Sequence, residues 1–281
     1  MKLFTLATIM TTTALTLSAQ AQTPAPAGPS NSSTAAVMTS NKSSSNIVLG
    51  FKSFDDTGRA ADLDTVGGRN AKSKNEAYLG YRFNSGWGGF YNVVQYYNSY
   101  YHNDTKTKFS QGDSSITLLH PDFYKSDSLI VFGQLRYYTP TTDRSIDKNI
   151  NQFAYYFRLN AKFEGGQEIY NEFIPRYFGS TNYAKTDTTN YIEDTTIYHY
   201  KIDGTGWKVG AKSWAQYEEH AKTGTGYCLE AGPEASYSFN SNFSISPSIM
   251  LPLLQSNTVY DGPKAVGTDQ AYLSIFVQAK L

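Results

Sequence analysis

The feature that most constrains the fold is a period-two alternation of apolar and polar side chains across residues 151–178. Its first arm has an apolar residue at every second position: Phe153, Tyr155, Phe157, Leu159, Ala161 and Phe163. Gln152, Arg158, Asn160 and Lys162 lie between them. Because successive side chains of a strand point to opposite faces, this arm has one apolar and one polar face. Glu164-Gly165-Gly166 follows and predicts a tight turn, since glycine adopts positive φ without steric cost.

The return arm repeats the alternation and makes a hairpin. Ile169, Phe173 and Tyr177 alternate with a polar set made up of Glu168, Glu172 and Arg176. The same pattern recurs to the end of the chain, each time with a charged face. A soluble sandwich would also alternate, but its core face would be mostly aliphatic. We therefore interpret the stretch as one hairpin of a transmembrane β-barrel, with its apolar side to lipid and its polar side to a lumen.

The alternation predicts an all-β fold, an antiparallel up-and-down barrel of about twelve strands, an even number as bacterial single-chain barrels have. The predicted strands are 47–54, 76–84, 88–101, 113–123, 128–138, 151–163, 167–178, 191–202, 207–219, 226–239, 242–253 and 270–281. Alternation is weakest in 113–123 and 191–202, and strand 88–101 is so aromatic that its phase is open. Pro247 and Pro252 fit poorly in a central strand and suggest bulges or a break.

The links between these strands alternate in length. Links 255–269, 179–190, 139–150, 101–112 and 55–75 are long, 220–225 is moderate, and the links between them are short. Barrels of this class have short periplasmic turns and longer extracellular loops, whereas a sandwich has no reason to sort its connections in this way.

The N-terminus predicts export. Residues 1–21 combine Lys2, an apolar and threonine-rich run, and Ala19-Gln20-Ala21, which describes a signal peptide cleaved after Ala21. Residues 22–46 are rich in Ala, Ser, Thr and Pro and predict a flexible low-complexity extension, with a lumenal plug as the alternative. Residues 47–281 form the barrel.

The composition of the chain argues against several classes of protein. The chain has 24 basic and 24 acidic residues, which argues against a nucleic-acid binder that works by phosphate neutralisation. Its single cysteine cannot form an internal disulfide, and no apolar run after the leader is long enough for a membrane helix. The 23 tyrosines and 16 phenylalanines suit a membrane–water boundary.

With this alternation, aromatic content and loop asymmetry, residues 47–281 resemble a bacterial outer-membrane β-barrel, similar to the small twelve-stranded monomeric porins. The resemblance implies a Gram-negative outer membrane, contact with its lipid and lipopolysaccharide, and a barrel-assembly machinery that recognises strand 270–281. Many such families end in Phe or Trp, whereas this chain ends in Leu281. The oligomeric state stays open.

No group of residues in the sequence has the types and spacing of an enzyme active site. The four histidines do not stand in the His-x-Ser-Asn segment of barrel lipases, and paired acids near Asp55 and His102 have the wrong spacing for barrel proteases. No Cys/His cluster has metal-ligand spacing and no phosphate loop follows a strand, so no cofactor is expected. A cation at the acidic loop 55–64 is the weaker alternative to a solvated loop. The aromatics around Trp87 and Tyr91 predict an interfacial girdle, or less favourably a sugar-stacking surface.

The residues predicted on the inner face of the barrel give the main indication of its function. The residues predicted to line a lumen are Arg82, Arg136, Arg158, Lys162, Glu168, Glu172, Arg176, Lys208, Lys212, Glu230 and Glu234. Charges at membrane depth must face water or one another. They either line an aqueous pore for small polar solutes or ions, with a weak anion preference from Arg136, Arg158 and Arg176, or they pair and close the lumen.

Three functions follow from these alternatives. The favoured one is a porin-like channel for passive diffusion. The second is a closed structural barrel that acts through its extracellular loops. The third, from outside membranes, is a secreted β-sandwich binding module.

Overall fold

The computed structural model describes residues 46–57, 69–101, 108–180, 188–221, 224–255 and 270–280. The strands are β1 (Ile47–Thr57), β2 (Arg69–Arg82), β3 (Gly88–Tyr101), β4 (Lys108–Gln111), β5 (Ser115–Leu119), β6 (Tyr124–Lys125), β7 (Leu129–Tyr138), β8 (Asn151–Lys162), β9 (Gln167–Gly179), β10 (Thr188–Lys201), β11 (Trp207–His220), β12 (Gly224–Ser238), β13 (Phe243–Gln255) and β14 (Tyr272–Lys280). A short helix, α1 (Asp143–Asp147), and a 3-10 turn, Glu164–Gly166, interrupt them. The predicted leader, residues 22–45 of the predicted extension and Leu281 lie outside the described residues.

The strands form one closed antiparallel barrel. β14 pairs with β1, where Phe276 lies opposite Phe54, and β1, β2 and β3 follow as neighbours. β4 and β5 pair with β3 in one register, and β5 and β6 both pair with β7. These three short strands therefore occupy one place in the wall, and the barrel has twelve positions. The prediction of a twelve-stranded up-and-down barrel is confirmed, and the β-sandwich alternative is wrong.

Several predicted strand ends are wrong. β2 begins at Arg69 rather than at residue 76, because backbone pairing with β3 continues beyond the apolar part of the strand. Of the strand predicted at 113–123, only β5 forms; β6 follows it at residues 124–125, and β4 occupies part of the predicted loop 101–112. The break between β4 and β5 falls at Asp113, whose carboxylate accepts the backbone N–H groups of Thr141 (3.0 Å) and Thr142 (2.9 Å) and so anchors the loop that carries α1.

The connections at one barrel end are all short, and four of the six at the other end are clearly longer. The turn at Glu164–Gly166 has Gly165 and Gly166 at φ 73° and 79°, as the sequence predicted for this hairpin. The link predicted as moderate at 220–225 is shorter than expected, because β11 and β12 extend to His220 and Gly224. Below, the two ends are called the short-turn end and the long-loop end.

The two prolines of β13 are both accommodated within the strand. Leu229 pairs with Leu254 and Glu230 with Pro252, so the register shifts and Leu253 is an extra residue. This bulge, which the sequence suggested, explains why the consecutive residues Leu253 and Leu254 are 46% and 49% exposed.

The strand pleat sends apolar side chains outward and polar side chains inward. On β8, Phe153 and Phe157 face outward and are 45% and 38% exposed, whereas Arg158 faces inward and is 2% exposed. The most deeply buried part of the molecule is therefore its lumen, which holds the candidate site.

Candidate pore and its lining

The long-loop half of the lumen contains a cavity of about 420 Å³. Six basic side chains line it: Lys52, Lys74, Arg136, Arg158, Arg176 and Lys212. Four acidic side chains also line it: Asp56, Glu76, Glu172 and Glu193. We call this cavity the vestibule. Basic groups outnumber acidic ones, and the remaining lining is mainly aromatic and hydroxylic.

Arginine and aromatic side chains alternate along one wall of the vestibule, on β7 to β10. The Arg176 guanidinium carbon lies 5.0 Å from the ring centre of Tyr191 and 5.4 Å from that of Tyr138. Arg136 lies 5.8 Å from Tyr138 and 4.5 Å from Tyr156. Cation–π contacts of this kind stabilise a guanidinium without neutralising its charge. We call this wall the arginine ladder.

The ladder continues inward to Arg158. Its guanidinium carbon lies 5.2 Å from the ring centre of Tyr156 and 5.8 Å from that of Phe132. Ala154 pairs with both Arg136 and Arg176 in the sheet, and its small side chain leaves room for the two guanidinium groups on either side.

The three ladder arginines differ in their partners. Arg158 forms an ion pair with Glu172 and donates to Gln134 at 3.1 Å. Arg136 donates to the hydroxyls of Thr117 (3.1 Å) and Tyr138 (3.4 Å). The Nε atom of Arg176 is buried and has no hydrogen-bond partner in the part of the chain that the structure describes. Within that part, neither Arg136 nor Arg176 forms an ion pair.

Two of the four acidic side chains of the vestibule form ion pairs. Glu76 pairs with Lys74 at 2.8 Å, and Glu172 accepts from Tyr170 at 3.1 Å in addition to its ion pair with Arg158. Glu193 accepts from Trp214 at 3.0 Å and from Tyr191 at 3.1 Å, and these neutral donors leave its charge in place. Because the lining has six basic and four acidic groups, basic groups stay in excess.

Below the vestibule, towards the short-turn end, buried side chains on β7, β9 and β10 pack against one another. Phe132, Tyr170 and Ile197 form a buried cluster, and each is at most 4% exposed. We call these three residues the packed layer. Nearby, Lys208 pairs with Glu168 at 2.5 Å, and the ring of His199 contacts Glu234 at 3.1 Å.

A second buried cluster lies on the inner side of β1 to β3. Tyr78 and Phe90 cover the glycines Gly50 and Gly80, where an added Cβ would lie 2.2 Å and 2.0 Å from their rings. The glycines thus make room for inward aromatic rings, and buried clusters lie on two sides of the short-turn half.

The eleven residues predicted to line the lumen all lie at inward-facing register positions of their strands, in three groups. Arg136, Arg158, Glu172, Arg176 and Lys212 line the vestibule. Glu168, Lys208 and Glu234 lie towards the short-turn end, and Glu230 accepts from Tyr272, which lines the vestibule. Arg82 and Lys162 lie at strand ends near the short turns. Their role in permeation stays a prediction.

Sequence reasoning missed several lining residues. Lys74 lies on the part of β2 that was predicted as loop, and Glu193 lies next to Asp194 in the weakly alternating β10. Lys52 could have been found, because it alternates with Phe51 and Ser53 on a predicted strand. The aromatic residues of the arginine ladder could not be recognised from the sequence, because the same residue types also form the outer surface of the barrel.

The sequence also suggested an aromatic girdle and, as a weaker alternative, a cation site in the acidic loop. Among the described residues, no group of three or more His, Cys, Asp or Glu side chains is arranged to hold a metal ion. Asp62 and Asp64 of the acidic loop lie outside the described residues, and so do His102 and the side chains of Tyr96 to Tyr101. Trp87 and Tyr91 are 45% and 43% exposed, consistent with the girdle interpretation. No helix in the described ranges is long and apolar enough to cross a membrane.

Known structures share this architecture. An outer-membrane channel from Pseudomonas putida F1 aligns over 84% of this chain and 96% of its own, with 10% identity and a TM-score of 0.57. The fold is that of an outer-membrane channel. The NanC porin aligns over 82% of this chain and 97% of its own, with 10% identity and a TM-score of 0.47. The KdgM porin aligns over 83% of this chain and 98% of its own, with 9% identity and a TM-score of 0.45. No protein-family model and no curated protein sequence matches the chain.

Proposed function

We propose that this protein is a porin-like outer-membrane channel for the passive diffusion of small hydrophilic solutes or ions, with a preference for anions. The fold supports a channel in general, and the vestibule supports the preference. Six basic and four acidic side chains line it, so basic groups are in excess. A lining with excess positive charge concentrates anions and repels cations.

The arginine ladder supports a route for the solute. Arg176 and Arg136 stand one after the other along the wall, separated by the ring of Tyr138. Because neither forms an ion pair among the described residues, each can bind a passing anion and release it to the next. A channel needs this balance, since a site that binds too tightly blocks conduction.

We also infer the route of export. The leader 1–21 is removed, and the mature chain reaches the outer membrane, where strand 270–281 engages the assembly machinery. Sequencing of the mature N-terminus tests this inference. A first residue of Gln22 supports it, and an intact Met1 in the membrane fraction contradicts it.

Planar-bilayer recording tests the channel. The chain without its leader is refolded, its folding is checked by heat-dependent mobility in SDS gels, and single-channel currents are measured. We expect discrete conductance steps, and a smaller anion current when Arg136→Glu and Arg176→Glu are combined. Lys125→Glu is the matched control, because it makes the same type of charge change at an exposed residue outside the vestibule.

The packed layer favours a second candidate, the closed barrel that acts through its long loops. Phe132, Tyr170 and Ile197 pack together below the vestibule, and in this candidate they block the path of a solute. A folded, inserted protein without current would contradict the channel and support this candidate. In that case, the anchored loop 139–150 becomes the first surface to test for a partner.

A further inference from the structure

Two opposite charges lie side by side in the wall of the vestibule. Arg176 on β9 pairs with Tyr191 on β10, and Glu193 is the next inward residue along β10. Side chains in this diagonal relation on neighbouring antiparallel strands have Cβ atoms at most about 8 Å apart. Arg176 and Glu193 are therefore neighbours that face the same cavity, yet in the described ranges they form no ion pair with each other.

Neutral groups hold the Glu193 carboxylate in place. Its Oε1 atom accepts from the indole N–H of Trp214 at 3.0 Å, and its Oε2 atom accepts from the hydroxyl of Tyr191 at 3.1 Å. No Lys, Arg or His forms an ion pair with it in the part of the chain that the structure describes. A carboxylate has about four lone-pair sites, so two donors fix its direction and still leave it able to accept from a cationic group.

Aromatic rings hold the Arg176 guanidinium. Its carbon atom lies 5.0 Å from the ring centre of Tyr191 and 5.4 Å from that of Tyr138. Its Nε atom is buried and has no hydrogen-bond partner among the described residues. Tyr191 thus positions both charges, because its ring contacts Arg176 and its hydroxyl binds Glu193. These contacts hold the two groups apart, and each is left with unused hydrogen-bonding capacity.

A solute that matches this wall carries an anionic and a cationic group close together. A guanidinium binds a carboxylate through two parallel N–H···O bonds, and a carboxylate accepts from the N–H groups of an ammonium ion. An α-amino acid carries both groups on one carbon atom. A plain anion finds a partner only in Arg176 and is repelled by Glu193, so the second charge makes the site selective.

We propose that Arg176, Tyr191 and Glu193 form a binding site for the zwitterionic end of free α-amino acids. The solute carboxylate binds Arg176 and the solute ammonium group binds Glu193. The rest of the vestibule, a cavity of about 420 Å³, receives the side chain of the amino acid. This inference names a substrate class for the proposed channel and rests on the proposed function in one respect, namely that the vestibule is open to solutes.

Tryptophan fluorescence tests the site directly. The chain has three tryptophans, and Trp87→Phe with Trp207→Phe leaves Trp214, the donor to Glu193, as the single fluorophore. The protein, folded in detergent micelles, is titrated with alanine, with propionate, which lacks the ammonium group, and with ethylamine, which lacks the carboxylate. We expect a saturable change with alanine, and an affinity for alanine several-fold higher than for either of the other two compounds.

Substitutions then assign the two charges. Glu193→Gln keeps the size of the side chain and removes its charge, so the preference for alanine over propionate should be lost. Arg176→Met should weaken the binding of both alanine and propionate several-fold. Asp194→Asn is the matched control, because Asp194 is the adjacent carboxylate and lies on the outward face of β10, and it should leave both affinities unchanged. Heat-dependent gel mobility checks that each variant is folded.

Three results would overturn this inference: no saturable change with alanine, propionate binding as tight as alanine, or a preference for alanine that survives in the folded Glu193→Gln variant. They are distinct from a failure of the channel, because the titration does not require conduction. A folded barrel that prefers alanine but passes no current contradicts the channel and supports the site. A conducting barrel without that preference contradicts the site alone.

Discussion

At the scale of single residues, the Arg158–Glu172 ion pair is the most deeply buried interaction of the ladder. The two residues pair across β8 and β9, and their side chains are 2% and 5% exposed. Gln134 and Tyr170 add hydrogen bonds to the pair. The free energy needed to remove the two charges from water offsets much of their mutual attraction. The pair therefore fixes the geometry of the site more than it adds to net stability.

This arrangement predicts non-additive effects of substitution. Arg158→Met alone leaves the Glu172 carboxylate buried without a counter-charge, which should lower the free energy of unfolding by about 3–5 kcal/mol. The double variant Arg158→Met/Glu172→Met removes both charges and should cost far less. Urea unfolding in lipid vesicles, followed by tryptophan fluorescence, measures the free energy of unfolding of both variants.

Arg176→Met serves as the control for this prediction, because Arg176 forms no ion pair within the described ranges. It should cost only its cation–π contacts, about 0.5–2 kcal/mol. A double variant as unstable as Arg158→Met alone would contradict the account of the pair.

The sequence predicted inward residues well where one face of a strand is uniformly apolar. On β8, every second residue from Phe153 is apolar, so Arg158 could only face inward. On β10, Glu193 and Asp194 are adjacent carboxylates, and alternation cannot tell which one faces the lumen. The partners of each charge depend on contacts between distant strands, so the ladder itself could not be predicted.

At the scale of elements, we expect the packed layer to be the narrowest part of the lumen. Phe132, Tyr170 and Ile197 come from β7, β9 and β10 and meet below the vestibule. If these side chains limit permeation, shortening them widens the path. Phe132→Ala combined with Ile197→Ala should raise the single-channel conductance severalfold, while the cavities lower the free energy of unfolding by about 2–5 kcal/mol for each substitution.

Phe153→Ala is the matched control for this effect. It removes the same phenyl group from an outward position that is 45% exposed, so it should leave the conductance unchanged. An unchanged conductance in the Phe132/Ile197 variant would place the narrowest point elsewhere.

The limits of sequence analysis at this scale have physical causes. Alternation reports the part of a strand that faces lipid, so it finds β8 and β14 almost completely. It misses the polar start of β2 at Arg69, where pairing with β3 continues without an apolar face. The break at Asp113 depends on a loop 28 residues away in sequence, since Asp113 accepts from Thr141, and no local pattern reports that contact.

At the scale of the whole molecule, a neutral chain carries an uneven distribution of charge. The sequence has 24 basic and 24 acidic residues, yet six basic side chains and only four acidic ones line the vestibule. Composition therefore gave no indication of the selectivity proposed above, which depends on the side chains that the barrel turns inward. Twelve strands give a lumen intermediate between the filled eight-stranded barrels and wide porins, in agreement with a vestibule above a packed layer.

The reversal potential across a KCl gradient tests the central claim most directly. For the refolded protein in a planar bilayer, we predict a reversal potential with the sign of chloride selectivity. The combined Arg136→Glu and Arg176→Glu substitutions should move it towards potassium selectivity, whereas Lys125→Glu should not. Potassium selectivity of the unmodified protein, or a reversal potential that the two arginine substitutions do not change, would contradict an anion-preferring channel.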